Sequence, residues 1–498
     1  MLRLVTGRIG SGKTSRIYDE IGKRIECGGS VTLIVPEQFS FRTEKKMLEL
    51  FGAKGADRVD VVSFSFLAKN ILKKYGLNSK NALDDSTRAM LMSVALDEAG
   101  DDLQVYSRHK YSPAVIMQML KTVKDFRQFS ITEDKLEETI ARLDPSLLRD
   151  KLSEILLIEK IYTALVEQNY FDDTCALDVL CDALDRHDDF NGAEVFVDGF
   201  RGFTAQEYAV LERIMRCSAD VWVTLCTDKS NDKFGVLAHT ARTKRELIRR
   251  AQSCGVDIAK PLEIIREGET DPELDTLEKG LYSAEADEYK EKTKKITLCS
   301  AEDFESECEF VACTVKKLIR TEGLRCRDIA VISRSEDNYS RQIRNALIKN
   351  GVPVFEDKRQ PITSEPLIEF VRSAIEIGTS GFSTDALMRL AKTALTDLDI
   401  EEISRLENYA LMWKINGQKW LDEWTAHPNG LGEKMLEKDI AELKELNDIR
   451  IRLTSPLDKF RKKLRTITSP DAARAIYSLL VDLNVAENLK KLAVNLYS

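Results

Sequence analysis

The stretch LRLVTGRIGSGKTSRIYDEI, residues 2–21, decides the fold at the amino-terminal end of the chain. Its first residues alternate apolar and polar side chains, which predicts a β-strand, and an amphipathic helical pattern begins near Lys13. Between the two, residues 7–14 read GRIGSGKT and match the spacing GxxxxGK[ST] in full. A strand, a glycine-rich turn and a helix in this order predict the start of a parallel α/β domain.

The glycine-rich turn predicts a nucleotide site. Its glycines let backbone N–H groups face a phosphate, and the helix amino terminus adds positive potential. Lys13 is placed to reach the β- and γ-phosphates, and the Thr14 hydroxyl is placed to bind Mg²⁺. With ATP and Mg²⁺ as the expected ligands, the candidate binding residues of the turn are Gly7, Gly10, Ser11, Gly12, Lys13 and Thr14. The alternative is a vestigial loop that keeps this shape without the ligand.

A second apolar run, EVFVD at 194–198, ends in an acidic residue that suits a metal. At phosphate-binding turns of this kind an acidic residue at the end of a nearby strand holds Mg²⁺, and a glutamate beside it usually orients water. The residue after Asp198 is Gly199, which cannot polarise water. Thr14 and Asp198 are therefore the predicted metal ligands of a site without its usual base. The alternative is that Asp198 and Gly199 only form a turn after a core strand.

Strand and helix patterns divide the rest of the chain. β-Rich runs predict a parallel sheet in a domain made of 1–76 and 191–290, and the largely helical pattern of 77–190 predicts an insertion within it. Further β-rich runs at 294–301, 328–335 and 351–357 predict the start of a second parallel sheet over 291–378. Residues 379–498 are helical and charged, which predicts a second insertion, after which the chain ends before the domain closes.

Composition excludes several classes of protein. The chain has 498 residues, 43% of them hydrophobic, and no run of about 18 apolar residues, so we expect a cytoplasmic protein that does not enter a membrane. Its ten cysteines contain no CxxC pair and its four histidines are isolated, which favours buried thiols over a metal cluster. A net charge of −9 argues against indiscriminate nucleic-acid binding by the whole surface, although local basic stripes can still bind.

Four segments carry a resemblance to a known family. The glycine-rich turn is followed in order by LIVPEQFSFRTEKKML at 33–48, VVSFSFLAKNIL at 61–72 and VDGFRGFTAQE at 197–207. Together they resemble the B subunits of the AddAB ATP-dependent helicase–deoxyribonucleases, relatives of the superfamily 1 DNA helicases. The resemblance implies an α/β fold of two P-loop helicase-like, RecA-like parallel-sheet domains, each with a largely helical insertion and the second incomplete.

The resemblance also implies roles for individual residues. It assigns Lys13 and Thr14 to the nucleotide and its metal, and Asp198 to the metal. Active helicase relatives carry an Asp-Glu pair where this chain has Asp198 and Gly199, and a glutamine shortly afterwards that matches Gln206. Arg341 occupies the position of an arginine that reaches the γ-phosphate in active enzymes. The alternative for Arg341 is an exposed helix residue in contact with water.

In family terms the helicase-like half binds DNA. Phe64 and Phe66 match positions near the DNA path of helicase relatives, and Lys121, Lys124 and Arg127 follow one another at helical spacing in the first insertion. Each basic residue can equally belong to a solubilising helix face. The implied partners are an A-type helicase–nuclease subunit, in a heterodimer, and single-stranded and duplex-end DNA.

The implied function is DNA end resection and recognition of the sequence Chi in double-strand break repair by homologous recombination. The family's nuclease domain and iron–sulfur cluster are expected only in the full-length protein, so this chain is expected to lack nuclease activity and to have weak or no ATPase activity. The alternative function is an autonomous P-loop ATPase or kinase that acts on a substrate other than DNA.

Overall fold

The computed structural model describes residues 1–77, 81–227, 235–265, 271–281, 286–355, 362–430, 434–466 and 469–497. They form two compact units, Met1–Cys299 and Ser300–Ser498. The finer domain boundaries within these units stay a prediction. None of the described helices is both long enough and apolar enough to cross a bilayer.

The first unit contains all eight strands found among the described residues. They are β1 (Leu2–Gly7), β2 (Val31–Ile34), β3 (Val59–Val62), β4 (Asn81–Ala82), β5 (Tyr170–Phe171), β6 (Glu194–Val197), β7 (Asp220–Cys226) and β8 (Leu262–Glu263). Six of them form one sheet in the order β3-β2-β6-β7-β1-β8, and every neighbouring pair in it is parallel. Strands β4 and β5 form a separate parallel pair.

Both faces of the six-stranded sheet are buried, as is usual for a parallel sheet. Neighbouring residues of β1 point to opposite faces, so Leu4 belongs to one apolar core and Val5 to the other. Helices cover both faces, and a further helical run with its own core lies between β3 and β6 in sequence. The helices are α1 (Lys13–Glu26), α2 (Ser40–Ala56), α3 (Phe64–Lys74), α4 (Asp85–Glu98), α5 (Pro113–Gln128), α6 (Glu133–Arg142), α7 (Leu147–Asn169), α8 (Ala176–Arg186), α9 (Ala205–Cys217), α10 (Ala238–Ser253) and α11 (Pro272–Gly280).

The second unit is helical in its described residues. Its largest apolar core surrounds buried aromatic side chains such as Phe370, Phe382 and Trp420. A smaller core joins the first two helices of the unit. The helices are α12 (Phe304–Thr321), α13 (Glu336–Lys349), α14 (Pro366–Ser380), α15 (Thr384–Ala391), α16 (Ile400–Met412), α17 (Glu437–Leu464), α18 (Ser469–Asp482) and α19 (Val485–Tyr497).

The parallel α/β fold class is confirmed, but the described residues form only the first of the two predicted sheets. The runs at 294–301, 328–335 and 351–355 carry no strand hydrogen bonds, and Leu298 and Ile332 are 97% and 92% exposed. A strand needs a neighbour that pairs its backbone N–H and C=O groups and covers its side chains. The described part of the chain supplies no such neighbour to these runs, although α12 and α13 form between them as the pattern predicts.

Candidate nucleotide-binding site

The glycine-rich turn joins the end of β1 to the start of α1. Gly10 and Gly12 have φ angles of 72° and 91°, in the left-handed region that favours glycine. No side chain among the described residues caps the amino terminus of α1. The first N–H groups of a helix have no partner within the helix, so an uncapped amino terminus suits a phosphate.

Gly7 and Ser11 lie against each other at the base of the turn. A Cβ atom on Gly7 would lie 2.4 Å from the Ile264 carbonyl oxygen and 2.4 Å from Ser11 Oγ, so this position has no room for a side chain. Ser11 Oγ is buried and has no hydrogen-bond partner among the described residues. A buried hydroxyl without a partner is costly. A phosphate oxygen in the turn would satisfy it, so these residues fit the predicted ligand.

Lys13 is held close to the turn. Its Nζ donates a hydrogen bond to the Arg8 carbonyl oxygen at 2.6 Å. Burial lowers the pKa of Lys13, and the neighbouring Cys226 and Asp198 act in the opposite direction. The ammonium group is therefore partly removed from water and lies near the carboxylate of Asp198.

Thr14 and Asp198 come together although 184 residues separate them in sequence. Thr14 Oγ1 donates to Asp198 Oδ1 at 3.3 Å, and Thr224 Oγ1 donates to the same oxygen. Asp198 directly follows β6, and β7 separates β6 from β1. No group of three or more His, Cys, Asp and Glu side chains that could hold a metal occurs in the described part of the chain. A Mg²⁺ ion would therefore take Thr14 and Asp198 together with phosphate and water oxygens, the ligand set that it prefers.

Gly199 occupies a backbone conformation that resists a glutamate. Its φ angle is 85°, and a Cβ atom there would meet Pro36 Cδ at 3.3 Å. Neither nearby glutamate takes the place of the missing base. Glu207 Oε2 accepts from the Thr204 N–H at 2.7 Å and caps α9, whereas Glu194 pairs with Arg24.

Gln206 has a structural role, and Arg341 has no contact among the described residues that tests its predicted role. Gln206 is buried, and its Nε2 donates to Asp178 Oδ2 at 2.7 Å and to the Thr174 carbonyl oxygen at 3.3 Å. It therefore ties α9 to α8. Arg341 lies exposed on α13 in the second unit. Its contact with a γ-phosphate stays a prediction.

Phe64 is a core residue, which corrects its assignment to DNA. Its ring is buried and packs edge-on against Phe200 and Phe203, with ring centroids 5.5 Å and 6.2 Å away. In this arrangement it offers no face on which a base could stack. Phe66, two residues along the same helix, is 50% exposed and keeps its candidate role.

The three basic residues predicted to bind DNA divide in the same way. Lys121 and Lys124 lie exposed on α5. Arg127 is nearly buried, pairs with Asp172 and donates to Thr174 Oγ1 at 2.7 Å. Its guanidinium is occupied by this internal ion pair, so a phosphate contact by Arg127 does not fit the structure.

Two exposed aromatic residues were missed by the sequence analysis. Phe39 and Phe41 follow β2, and Phe41 is 80% exposed. Strands β2 and β3 are parallel neighbours, so their carboxyl ends, which lead to Phe41 and Phe66, lie at one edge of the sheet. The signal was present in PEQFSF at 36–41, an aromatic pair directly after a strand.

Two family models match the chain. The model described as "ADDB, N-terminal" matches residues 4–278, and the model described as "UvrD-like helicase C-terminal domain" matches residues 259–409. Among curated proteins, the ATP-dependent helicase/deoxyribonuclease B subunit of Thermoanaerobacter sp. (strain X514) is 32% identical over 504 residues, which cover 99% of this chain and 44% of that protein. The protein of the same name from Clostridium acetobutylicum is 31% identical over 510 residues, with the same coverage of both chains.

The matches extend along the described fold and beyond the glycine-rich turn. The first family model covers more than half of the 498 residues, from β1 to α11. The chain spans less than half the length of the curated relatives, 44% in both of these cases. On the extent of these matches, the chain belongs to the AddB family.

Proposed function

We propose that this chain is the helicase-like part of a helicase–nuclease subunit and that it binds ATP with Mg²⁺ and single-stranded DNA. One observation carries the nucleotide assignment: Thr14 Oγ1 lies 3.3 Å from Asp198 Oδ1, and three residues before Thr14 the buried Ser11 hydroxyl has no partner among the described residues. Gly199 follows at the position of the usual base. The site therefore favours binding of the nucleotide over its rapid hydrolysis.

Each residue of the site has a physical task in this proposal. The uncapped N–H groups of α1 and the Ser11 hydroxyl bind phosphate oxygens. Lys13 exchanges the Arg8 carbonyl oxygen for a phosphate oxygen, which is a stronger acceptor for a cation. When bound, Mg²⁺ would neutralise charge on the β- and γ-phosphates. Arg341 would add a second cation at the γ-phosphate.

The wider role proposed here goes beyond the names of the relatives, which describe a helicase/deoxyribonuclease subunit. We propose that the chain works in the cytoplasm, in a heterodimer with an A-type helicase–nuclease subunit. Its role there is DNA end resection and Chi recognition in double-strand break repair. The helicase-like domains would comprise 1–76 with 191–290 and 291–378, and the insertions 77–190 and 379–498. A nuclease domain and an iron–sulfur cluster would belong to the remaining length of the longer family protein.

The nucleotide assignment predicts binding with little turnover. A fluorescent ATP analogue titrated with Mg²⁺ should bind, while phosphate release stays near background with and without single-stranded DNA. Lys13→Ala should weaken binding about 10-fold or more, because it removes charge-assisted hydrogen bonds to phosphate. Lys23→Ala, which removes an exposed lysine from the same helix, is the matched control and should bind normally.

Other results of that experiment would change the assignment. Release that needs DNA and is lost in Lys13→Ala would mean that another residue replaces the base missing at Gly199. Rapid release without DNA would instead favour an autonomous ATPase or kinase. No binding by the wild-type chain would contradict the nucleotide site itself.

The DNA assignment rests on one face of α3, which we call the α3 face. It consists of Phe66, Lys69 and Lys73, all exposed and spaced at i, i+3 and i+7 on the helix. An aromatic ring can stack on a base while the two ammonium groups attract the phosphates on either side. The exposed ring of Phe41, after the neighbouring strand, would extend this surface.

Phe66→Ala is expected to weaken binding of oligo(dT) by about 1 to 3 kcal/mol, the range for loss of one base–aromatic contact. Fluorescence anisotropy of a labelled oligonucleotide measures this change, and the affinity of the wild-type chain should fall as salt rises. Phe310→Ala, which removes an exposed ring from α12 in the second unit, is the control. Equal affinities for wild type and Phe66→Ala, or an affinity independent of salt, would contradict the α3 face as a DNA site.

A further inference from the structure

Thr224 lies on the strand that separates the glycine-rich turn from Asp198. Strand β7 pairs with β1 on one side and with β6 on the other. Thr224 is 3% exposed, and its hydroxyl donates to Asp198 Oδ1.

Two hydroxyl groups therefore converge on one carboxylate oxygen. A threonine hydroxyl has a single hydrogen, and Thr14 and Thr224 each donate it to Asp198 Oδ1. The lone pairs of both hydroxyl oxygens stay available as acceptors. For Thr14 this leaves the lone pairs available to a cation. Thr224 is deeply buried in a central strand, so its own hydroxyl is far less accessible to one.

Because Thr14 is accessible to a cation and Thr224 is far less so, the two hydroxyls should have different roles. The β-branched side chain of Thr224 has few χ1 rotamers, and its backbone is held by strands on both sides. Asp198 lies just beyond the end of β6. Its N–H still donates to the Ile34 carbonyl oxygen of β2 at 3.0 Å, but the ladder with β7 has already stopped. This backbone bond does not fix the side-chain torsions of Asp198, so a donor on the rigid strand β7 can fix the orientation of its carboxylate.

We infer that Thr224 is a positioning residue that holds the Asp198 carboxylate toward Thr14, so that the two side chains are prearranged for a divalent cation. The inference rests on the proposed nucleotide function, and it concerns the metal rather than the phosphates. Residues that orient a metal ligand typically change metal affinity by about 10- to 100-fold when they are removed.

The test separates metal binding from nucleotide binding. In the 498-residue chain, a fluorescent ATP analogue is held at fixed concentration while Mg²⁺ is raised from an EDTA baseline. Thr224→Val keeps the shape of the side chain and removes the hydroxyl. It should raise the Mg²⁺ concentration at half-maximal enhancement by about 10- to 100-fold and leave the affinity in EDTA unchanged. Thr224→Ser retains the donor and should behave as wild type.

Thr454→Val is the control. Thr454 is a buried threonine of α17 whose hydroxyl donates to the Arg450 carbonyl oxygen at 2.8 Å, so this variant removes a buried threonine hydroxyl and should leave the Mg²⁺ midpoint unchanged. If Thr224→Val does not melt cooperatively, Thr224→Ala makes the same test. A Thr224 variant without the hydroxyl that keeps the wild-type midpoint overturns the inference alone. Failure of the wild-type chain to bind the analogue at any Mg²⁺ concentration overturns the proposed function instead.

Discussion

Arg127→Ala is expected to lower the free energy of unfolding by about 1.5 to 3 kcal/mol, the range for loss of a hydrogen bond to a charged group. Arg127 pairs with Asp172, whose side chain is almost wholly buried, and Arg88 Nη2 lies 3.3 Å from the other carboxylate oxygen. The Thr174 N–H donates to Asp172 as well, at 3.0 Å. Without Arg127 the carboxylate keeps only its weaker partners. Urea denaturation followed by circular dichroism measures the loss.

Because Asp172 titrates, the free energy of unfolding lost in Arg127→Ala should depend on pH. Burial alone would raise the pKa of Asp172, but Arg127 and the Thr174 donors outweigh burial and lower it. A carboxyl group whose pKa is lowered by folding stabilises the folded state above its unfolded pKa of about 3.9, and that stabilisation is lost as the pH falls through the folded pKa. The difference between wild type and Arg127→Ala should therefore be full at pH 7 and should shrink below about pH 4.

Two further variants distinguish the loss of the ion pair from a general effect of alanine substitution in helix α5. Lys124→Ala changes an exposed residue of the same helix and should leave the urea midpoint unchanged. Replacing the pair together, as Arg127→Met with Asp172→Leu, should recover much of the stability because no uncompensated charge remains. If Arg127→Ala melts like Lys124→Ala, the pair does not stabilise the helical run.

Arg127 and Phe64 illustrate what sequence patterns could not supply here. Helical spacing placed Arg127 in line with Lys121 and Lys124, but its partner Asp172 lies 45 residues further along the chain. Phe64 and Phe66 stand in one short motif, and only Phe200 and Phe203, brought in by the strand order, decide which ring is buried. Burial is set by contacts between distant segments, which a local pattern does not contain.

Other parts of the fold and site were predictable because their causes are local. The glycines of the turn, Lys13 and Thr14 form one continuous motif. Asp198 ends a short apolar run, and the rule that an acidic residue at the end of a nearby strand holds Mg²⁺ predicted that it would join Thr14. Thr224 has no such local mark, since its role depends on β7 lying between β1 and β6. The runs of the second predicted sheet have strand-like composition, but a strand also needs a partner, and composition does not provide one.

Gly7→Ala is expected to weaken nucleotide binding strongly and to destabilise the fold. The new Cβ would lie 2.4 Å from the Ile264 carbonyl oxygen, a separation below the 3.0 Å that real Cβ atoms respect. Ile264 cannot easily retreat, because its N–H donates to the Thr6 carbonyl oxygen at 2.7 Å and holds that segment on β1. Ser11 Oγ would also lie 2.4 Å from the new Cβ, so a shift on that side displaces the hydroxyl proposed to bind the phosphate.

Displacement of either Ile264 or Ser11 distorts the glycine-rich turn. A single methyl group on Gly7 should therefore have a large effect on stability and on nucleotide binding. Overpacking of this kind costs about 1 to 3 kcal/mol or more in stability. Distortion of the turn should weaken binding of a fluorescent ATP analogue by more than about 10-fold, since it displaces the N–H groups proposed to bind the phosphate. Gly76→Ala is the control: Gly76 has a φ of 67° and no atom within 4 Å of a Cβ position. It should lose some stability through backbone strain and keep the wild-type affinity. Normal binding by Gly7→Ala would mean that the turn changes shape when it binds nucleotide and that Ser11 Oγ does not set the position of the phosphate.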